Sequence, residues 1–224
     1  MLKKKLFIFS LLLFLGSFLK LSFAMGSKTF AFSGINFIIP LFGAFFSLPI
    51  SVGLLSVIFL FKQVALYGVL TLGLPTMVAT LCWSFTDKKN KSLEFIVKVL
   101  LPILCILLFV LHPVGKDAFY YSFYWFIPIG LYIFDKIFSK FLVFSTALTS
   151  TFLAHAIGSI IWLYSLNMTS GQWLSLIPVV AVERLVFASG MTLSFILIKK
   201  LFKYLSTKKY YSYKKDFLAL LFCK

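Results

Sequence analysis

Residues 141–166, FLVFSTALTSTFLAHAIGSIIWLYSL, and residues 173–201, WLSLIPVVAVERLVFASGMTLSFILIKKL, decide the class of this chain. Each exceeds the roughly 20 apolar residues with which an α-helix crosses ~30 Å of hydrocarbon. Only Asn167–Gln172 separate them, too few for anything but a turn between antiparallel helices. The pair predicts a transmembrane hairpin, and it carries His155, Glu183 and Arg184 well inside its apolar stretches.

The rest of the 224 residues agree with it. Hydrophobic side chains make up 61% and charged ones 12%, with a mean hydropathy of +1.03. A soluble domain carries roughly a quarter charged residues. No water-soluble core could bury so much apolar surface, whereas a bilayer accepts it as solvent-facing. The net charge of +16 comes from 22 basic residues, of which Arg184 is the single arginine. The lysines stand in short clusters between apolar runs, not along one basic face, which argues against a nucleic-acid partner and for topology signals. Cys82, Cys105 and Cys223 lack metal or disulfide spacing and read as small apolar side chains.

Further apolar segments run over 30–61, 64–85, 93–111 and 119–138. The fold class predicted is therefore all-α, a polytopic bundle of about six to eight helices in a bacterial-type plasma membrane. Residues 1–24 open with Lys3, Lys4 and Lys5, an apolar run and the small residues Ser22 and Ala24. They read equally as a signal peptide or as a first transmembrane helix. Residues 25–201 form the bundle, and 202–224 a basic tail expected to lie on anionic lipid. The positive-inside rule puts the lysines at the amino terminus, at Lys88, Lys89 and Lys91, at Lys136 and Lys140, and in the tail on the cytoplasmic side. Both termini are then cytoplasmic. Three crossings before Lys88 would break that rule. Segment 30–61, with Pro40, Gly43, Pro49 and Gly53, is accordingly expected to divide near Ser47–Pro49 and to cross twice or re-enter, which leaves Lys62 on the outer side.

An ionisable group in hydrocarbon costs a few kcal/mol even on lenient scales, so its presence points to function. His155 lies 14 positions before Thr169 at the centre of the hairpin and Glu183 lies 14 after, which puts both at matching depth. Thr151, His155, Ser159 and Trp162 fall on one helical stripe, beside a small-residue ridge of Ser150, Ala154 and Gly158. Glu183 and Arg184 are adjacent, about 100° apart around the helix, so each is expected to find a different partner among His155, Thr151, Tyr164, Asn36 or a bound solute. Tyr120, Tyr121, Tyr124 and Trp125, together with Trp162, Tyr164 and Trp173, are expected at the outer face, as an interfacial aromatic belt or as a lid over a ring-bearing solute.

The run Pro40-Leu-Phe-Gly-Ala-Phe-Phe-Ser-Leu-Pro49, with Gly53 and then Gly73-Leu74-Pro75, resembles the early helices of the substrate-binding subunits of energy-coupling factor transporters, particularly the biotin type. The resemblance covers about a quarter of the chain. It implies capture of a vitamin from the outer side and docking, through a small pair Gly43 and Ser47, on a transmembrane coupling subunit driven by ATPases. It transfers no ligand residue.

From the residues themselves, three functions stay open. A solute-binding or transport component would use Arg184, Glu183, His155, Thr151, Ser159, Trp162, Tyr124 and Trp125 around a small anionic or aromatic molecule. A structural subunit would use the same polar residues to clamp helices. An intramembrane enzyme would use His155 and Glu183 as acid and base, but no HExxH, GxSxG or Walker A sequence supports it. No cofactor or metal is expected.

Overall fold

The structure is a computed structural model that describes residues 2–25, 28–61, 68–85, 90–137 and 142–222. Lys62, Lys88, Lys89, Lys140 and Cys223 lie outside the described residues, as do the side chains beyond Leu205. The described backbone is helical except for one hairpin. Its helices are α1 (Leu2–Phe18), α2 (Ile35–Phe45), α3 (Leu48–Phe61), α4 (Val69–Ser84), α5 (Lys91–Leu111), α6 (Phe126–Ile137), α7 (Leu142–Ser165) and α8 (Ile177–Phe222).

Among the described residues, three helices are long and apolar enough to cross a membrane: Lys91–Leu111, Leu142–Ser165 and Ile177–Leu205. α7 is the central one, with 56% of its apolar window buried against 28% for α5 and 22% for α8. Its inward positions are small and hydroxylated. Thr146, Ser150 and Thr151 return their hydroxyls to the carbonyls of Leu142, Ala147 and Leu148 at 2.7, 3.2 and 3.2 Å, so they are satisfied within the helix and let neighbours approach.

Prolines shape the shorter apolar helices. Pro40 sits at the start of a 3-10 turn, Ile39–Leu41, within α2. Pro75 and Pro102 each follow a π-helical stretch, Val69–Gly73 and Ile96–Leu100. A proline has no N–H to give and its ring crowds the carbonyl four residues back, so the helix before it loosens to an i→i+5 pattern. At Phe46 the backbone turns extended, φ −126° and ψ 160°, and α3 begins two residues later. The segment 30–61 thus divides next to the Ser47–Pro49 position anticipated for it.

Four expectations about segments need correction. Residues 20–33 are not part of a helix; strands β1 (Lys20–Met25) and β2 (Lys28–Ser33) pair antiparallel from Lys20↔Ser33 to Met25↔Lys28. The sequence there alternates with period two, KLSFAM and KTFAFS, around Gly26-Ser27, a hairpin pattern overlooked in favour of signal-peptide grammar. The segment 119–138 is not one continuous α-helix: it is a 3-10 run, Phe119–Trp125, followed by the 12-residue α6. Pro128, in the first turn of α6, suits a helix start and not a helix middle. Likewise a short helix, Ser170–Ser175, capped reciprocally by Thr169 and Gln172, is set off at Leu176 from α8, with Pro178 in the first turn of α8. Finally, the tail does not begin at a break. α8 continues unbroken from Ile177 to Phe222, about 69 Å at 1.5 Å per residue, well beyond a bilayer's ~30 Å.

One core gathers α1, α2 and α8. Phe9 meets Phe42, Phe45 and Phe46 with ring centroids 5.4, 5.5 and 5.1 Å apart, and Phe45 meets Phe195 at 5.4 Å. A second core is aromatic, with Phe109 against Tyr121, Trp125 and Trp173 at 5.6, 5.2 and 5.4 Å. α2 reaches α4 only because residue 43 is glycine. A Cβ there would lie inside the backbone carbonyl of Thr80. Gly43 is therefore spent on an internal contact, and the docking pair implied by the family resemblance loses its buried member, whereas Ser47 is exposed.

Gly43→Val should destabilise the fold by about 1–3 kcal/mol or prevent it, because the obstructing atom is backbone and cannot yield as a rotamer would. Gly53, with open space around it, should accept Ala with little change. Thermal unfolding of the two variants in one detergent compares them directly; equal midpoints would refute the close contact.

Candidate functional site

α4, α7 and α8 line a partly open cavity with two adjoining lobes. One lobe, about 190 Å³, lies among α2, α4, α7 and α8 and is bordered by Asn36, Pro40, Thr76, Thr151 and Met191. The other, about 360 Å³, is bordered by Tyr121, His155, Ser159, Trp162 and Glu183. Thr71, Leu72, Pro75, Ala154 and Arg184 belong to both, so Arg184 stands where the lobes meet. The small residues of α7 create the space. Ala154 lines both lobes, and Gly158 would place a Cβ only within 3.8 Å of the Pro75 ring. From Thr151 to Trp162 along α7 the cavity extends about 16 Å.

Arg184 and Glu183 pair with each other, Nη2 to Oε2 at 2.8 Å, with side chains 12% and 20% exposed. This corrects the expectation of separate partners. Neighbouring Cβ atoms diverge around a helix, but an arginine stem is long enough to bring its head back, and two opposite charges away from water gain far more from meeting than they lose in rotamer freedom. Arg184 Nη1 also donates to the Thr151 carbonyl at 3.3 Å, which ties α8 to α7, and the guanidinium carbon lies 4.9 Å from the Phe187 ring centroid. Arg184 Nε is buried and has no hydrogen-bond partner among the described residues.

His155 does not bond to that pair. Its Nε2 is 2.8 Å from the Tyr121 hydroxyl and 3.4 Å from Ser159 Oγ, and Tyr121 and Ser159 are themselves 3.4 Å apart. The imidazole and the ion pair nonetheless face the same lobe. The hairpin thus brings His155 and Glu183 to one lobe, while the direct contact is not made.

Of the eight residues named from sequence, six border the cavity: Arg184, Glu183, His155, Ser159, Trp162 and Thr151. Tyr124 and Trp125 do not. The Tyr124 hydroxyl donates to the Ile177 carbonyl at 2.6 Å and its ring stacks on Phe152, while Trp125 is wholly buried against Phe109, so neither forms a lid. Tyr164 donates to the Leu108 carbonyl at 2.9 Å, away from Arg184. Asn36 borders the smaller lobe. Sequence reasoning missed Thr71, Leu72 and Pro75, the wall given by α4, and it set Tyr121 in a surface belt. The one available signal was the Pro75 position, since a proline inside an apolar helix loosens the turn before it. A second charged pair also went unnoticed: Lys98 donates to Glu94 at 2.8 Å, one helical turn apart on α5.

Compared with known proteins, the chain matches no family model, no curated protein and no solved structure.

Arg184→Gln or Glu183→Gln alone should each cost about 3–5 kcal/mol, since each strands the other charge away from water. The double variant should cost far less than the sum. Thermal unfolding of all four proteins in the same detergent gives the cycle; strictly additive losses would mean that the two side chains do not act as a pair.

Proposed function

We propose that the chain is an integral membrane component that binds a small solute, for uptake or transport, within the cavity between α4, α7 and α8. One observation carries this reading: an arginine, a glutamate and a histidine face an open space in the interior of an apolar helical assembly, where side chains could have filled it. Ionisable groups at such depth are costly, and a cavity beside them is costly again, so a bound molecule that uses both explains why neither was replaced by packing. With lysines read as cytoplasmic, both termini face the cytoplasm of a bacterial-type plasma membrane, and the wider lobe, beside the Asn167–Gln172 turn, lies toward the outer side. The chain acts as a binding subunit and not as an enzyme. His155 engages Tyr121 and Ser159, an arrangement that fixes the ring in the wall of the larger lobe without Glu183 as its catalytic partner. A coupling subunit with ATPases, the partner implied by the family resemblance, would have to dock on a face other than that of Gly43.

A second reading has its own observation. The Arg184 bond to the Thr151 carbonyl joins two long helices, as a structural clamp would. A clamp accounts for Arg184, Glu183 and Thr151 but gives no reason for His155, Tyr121 and Ser159 to line the same open space.

Native mass spectrometry of the gently solubilised chain separates the two. Solute binding predicts a small-molecule adduct that is lost in Ala154→Phe, which sets a ring where the two lobes meet, and lost or weakened roughly tenfold or more in Arg184→Gln while membrane insertion persists. A bare chain at its own sequence mass, with no adduct on parent or Ala154→Phe, would leave only the clamp.

A further inference from the structure

The charge inventory of the cavity narrows the class of its occupant. We infer that the ligand is an uncharged, elongated lipophile with one hydrogen-bond acceptor near its middle, and not the anion that a lone arginine would invite; this rests on the cavity being a binding site.

Three observations lead there. First, the arginine is already neutralised. Glu183 holds Nη2 at 2.8 Å, so an incoming carboxylate would bring a second negative charge to a single positive one, in surroundings where unbalanced charge is strongly penalised. Among the described residues no lysine borders either lobe to offset it. Second, the guanidinium still has donors to give. Glu183 and the Thr151 carbonyl engage Nη2 and Nη1 once each, which leaves a further N–H on each of the two nitrogens. A neutral acceptor, a carbonyl, ether or hydroxyl oxygen, answers such a donor at no electrostatic cost. Third, the donors stand at the junction of the lobes, and the walls leading away from it are mainly apolar: Ile39, Pro40, Ala79 and Met191 on one side, Leu176 and Val179 on the other. A molecule that fills both lobes has apolar arms on either side of its polar group. Leu72 and Trp162 border the space and are 61% and 46% exposed, which makes the rim apolar as well. Such a molecule dissolves in the bilayer, so a membrane lipid and a free lipophilic solute share the required chemistry.

The full-length chain in lipid nanodiscs tests this with two probes: a linear dialkyl ketone with its carbonyl at mid-chain, and the branched carboxylic acid of the same carbon count with its carboxylate at mid-chain. Thermal shift and native mass spectrometry should show the ketone retained roughly tenfold or more over the acid at neutral pH. In Glu183→Gln, where Arg184 keeps an unbalanced charge, the preference should reverse. Organic extraction should release more of an uncharged molecule, a phosphate-free lipid or a free solute, from the purified parent than from Ala154→Phe. Tighter binding of the acid by the parent, or a carboxylate or phosphate released in excess over Ala154→Phe, would overturn the ligand class and leave solute binding intact. If neither probe binds and Ala154→Phe behaves as the parent does, the binding site itself falls.

Discussion

An arginine placed among apolar helices has to be answered by protein, because apolar surroundings offer it no acceptor, and the helix arrangement around Arg184 follows from that need. Glu183 supplies the counter-charge from the same helix, and the Thr151 carbonyl supplies an acceptor from the next. The second contact is possible only because α7 and α8 pack closely, and they do so where α7 carries serine, threonine and alanine. A leucine-rich α7 would hold the helices apart and strand the charge. The small residues that admit the arginine also leave the space beside it, so the ion pair and the cavity have a common origin.

The same economy recurs where α2 meets α4. Gly43 lets the backbones touch at Thr80, while Pro40 lies in a tight 3-10 turn and Pro75 follows a loosened π-helical one beside that contact. α4 is thereby brought against α7, where Pro75 and Leu72 close one wall of the cavity. The first third of the chain thus contributes to the site without supplying a charge. Its tight contacts set the position of α4, and through it the dimensions of the lobes.

Tyr121 belongs to a segment whose aromatic richness suggested the membrane surface. It is turned inward because the Phe119–Trp125 run is a 3-10 helix and because Phe109 and Trp173 pack around its ring. Its hydroxyl then reaches His155, which gives the histidine a partner and a fixed direction. Tyr124, three residues on, spends its hydroxyl on a backbone carbonyl. Two tyrosines on one short segment are thus divided between cavity and scaffold by packing alone.

The amino-acid sequence by itself determined that the chain carries helices long and apolar enough to cross a membrane, since hydropathy depends only on composition along the chain. It also determined which side chains were too costly to be there without a reason: His155, Glu183 and Arg184, at a depth set by helical rise and the position of the turn. The division near Ser47 was legible too, because a proline acts locally on its own helix. Only the tertiary structure decided that Glu183 and Arg184 pair, that His155 turns to Tyr121, and that α4 closes the wall opposite. Those outcomes depend on how side chains and helices from distant parts of the chain orient toward one another, and periodicity within a single helix carries no record of that.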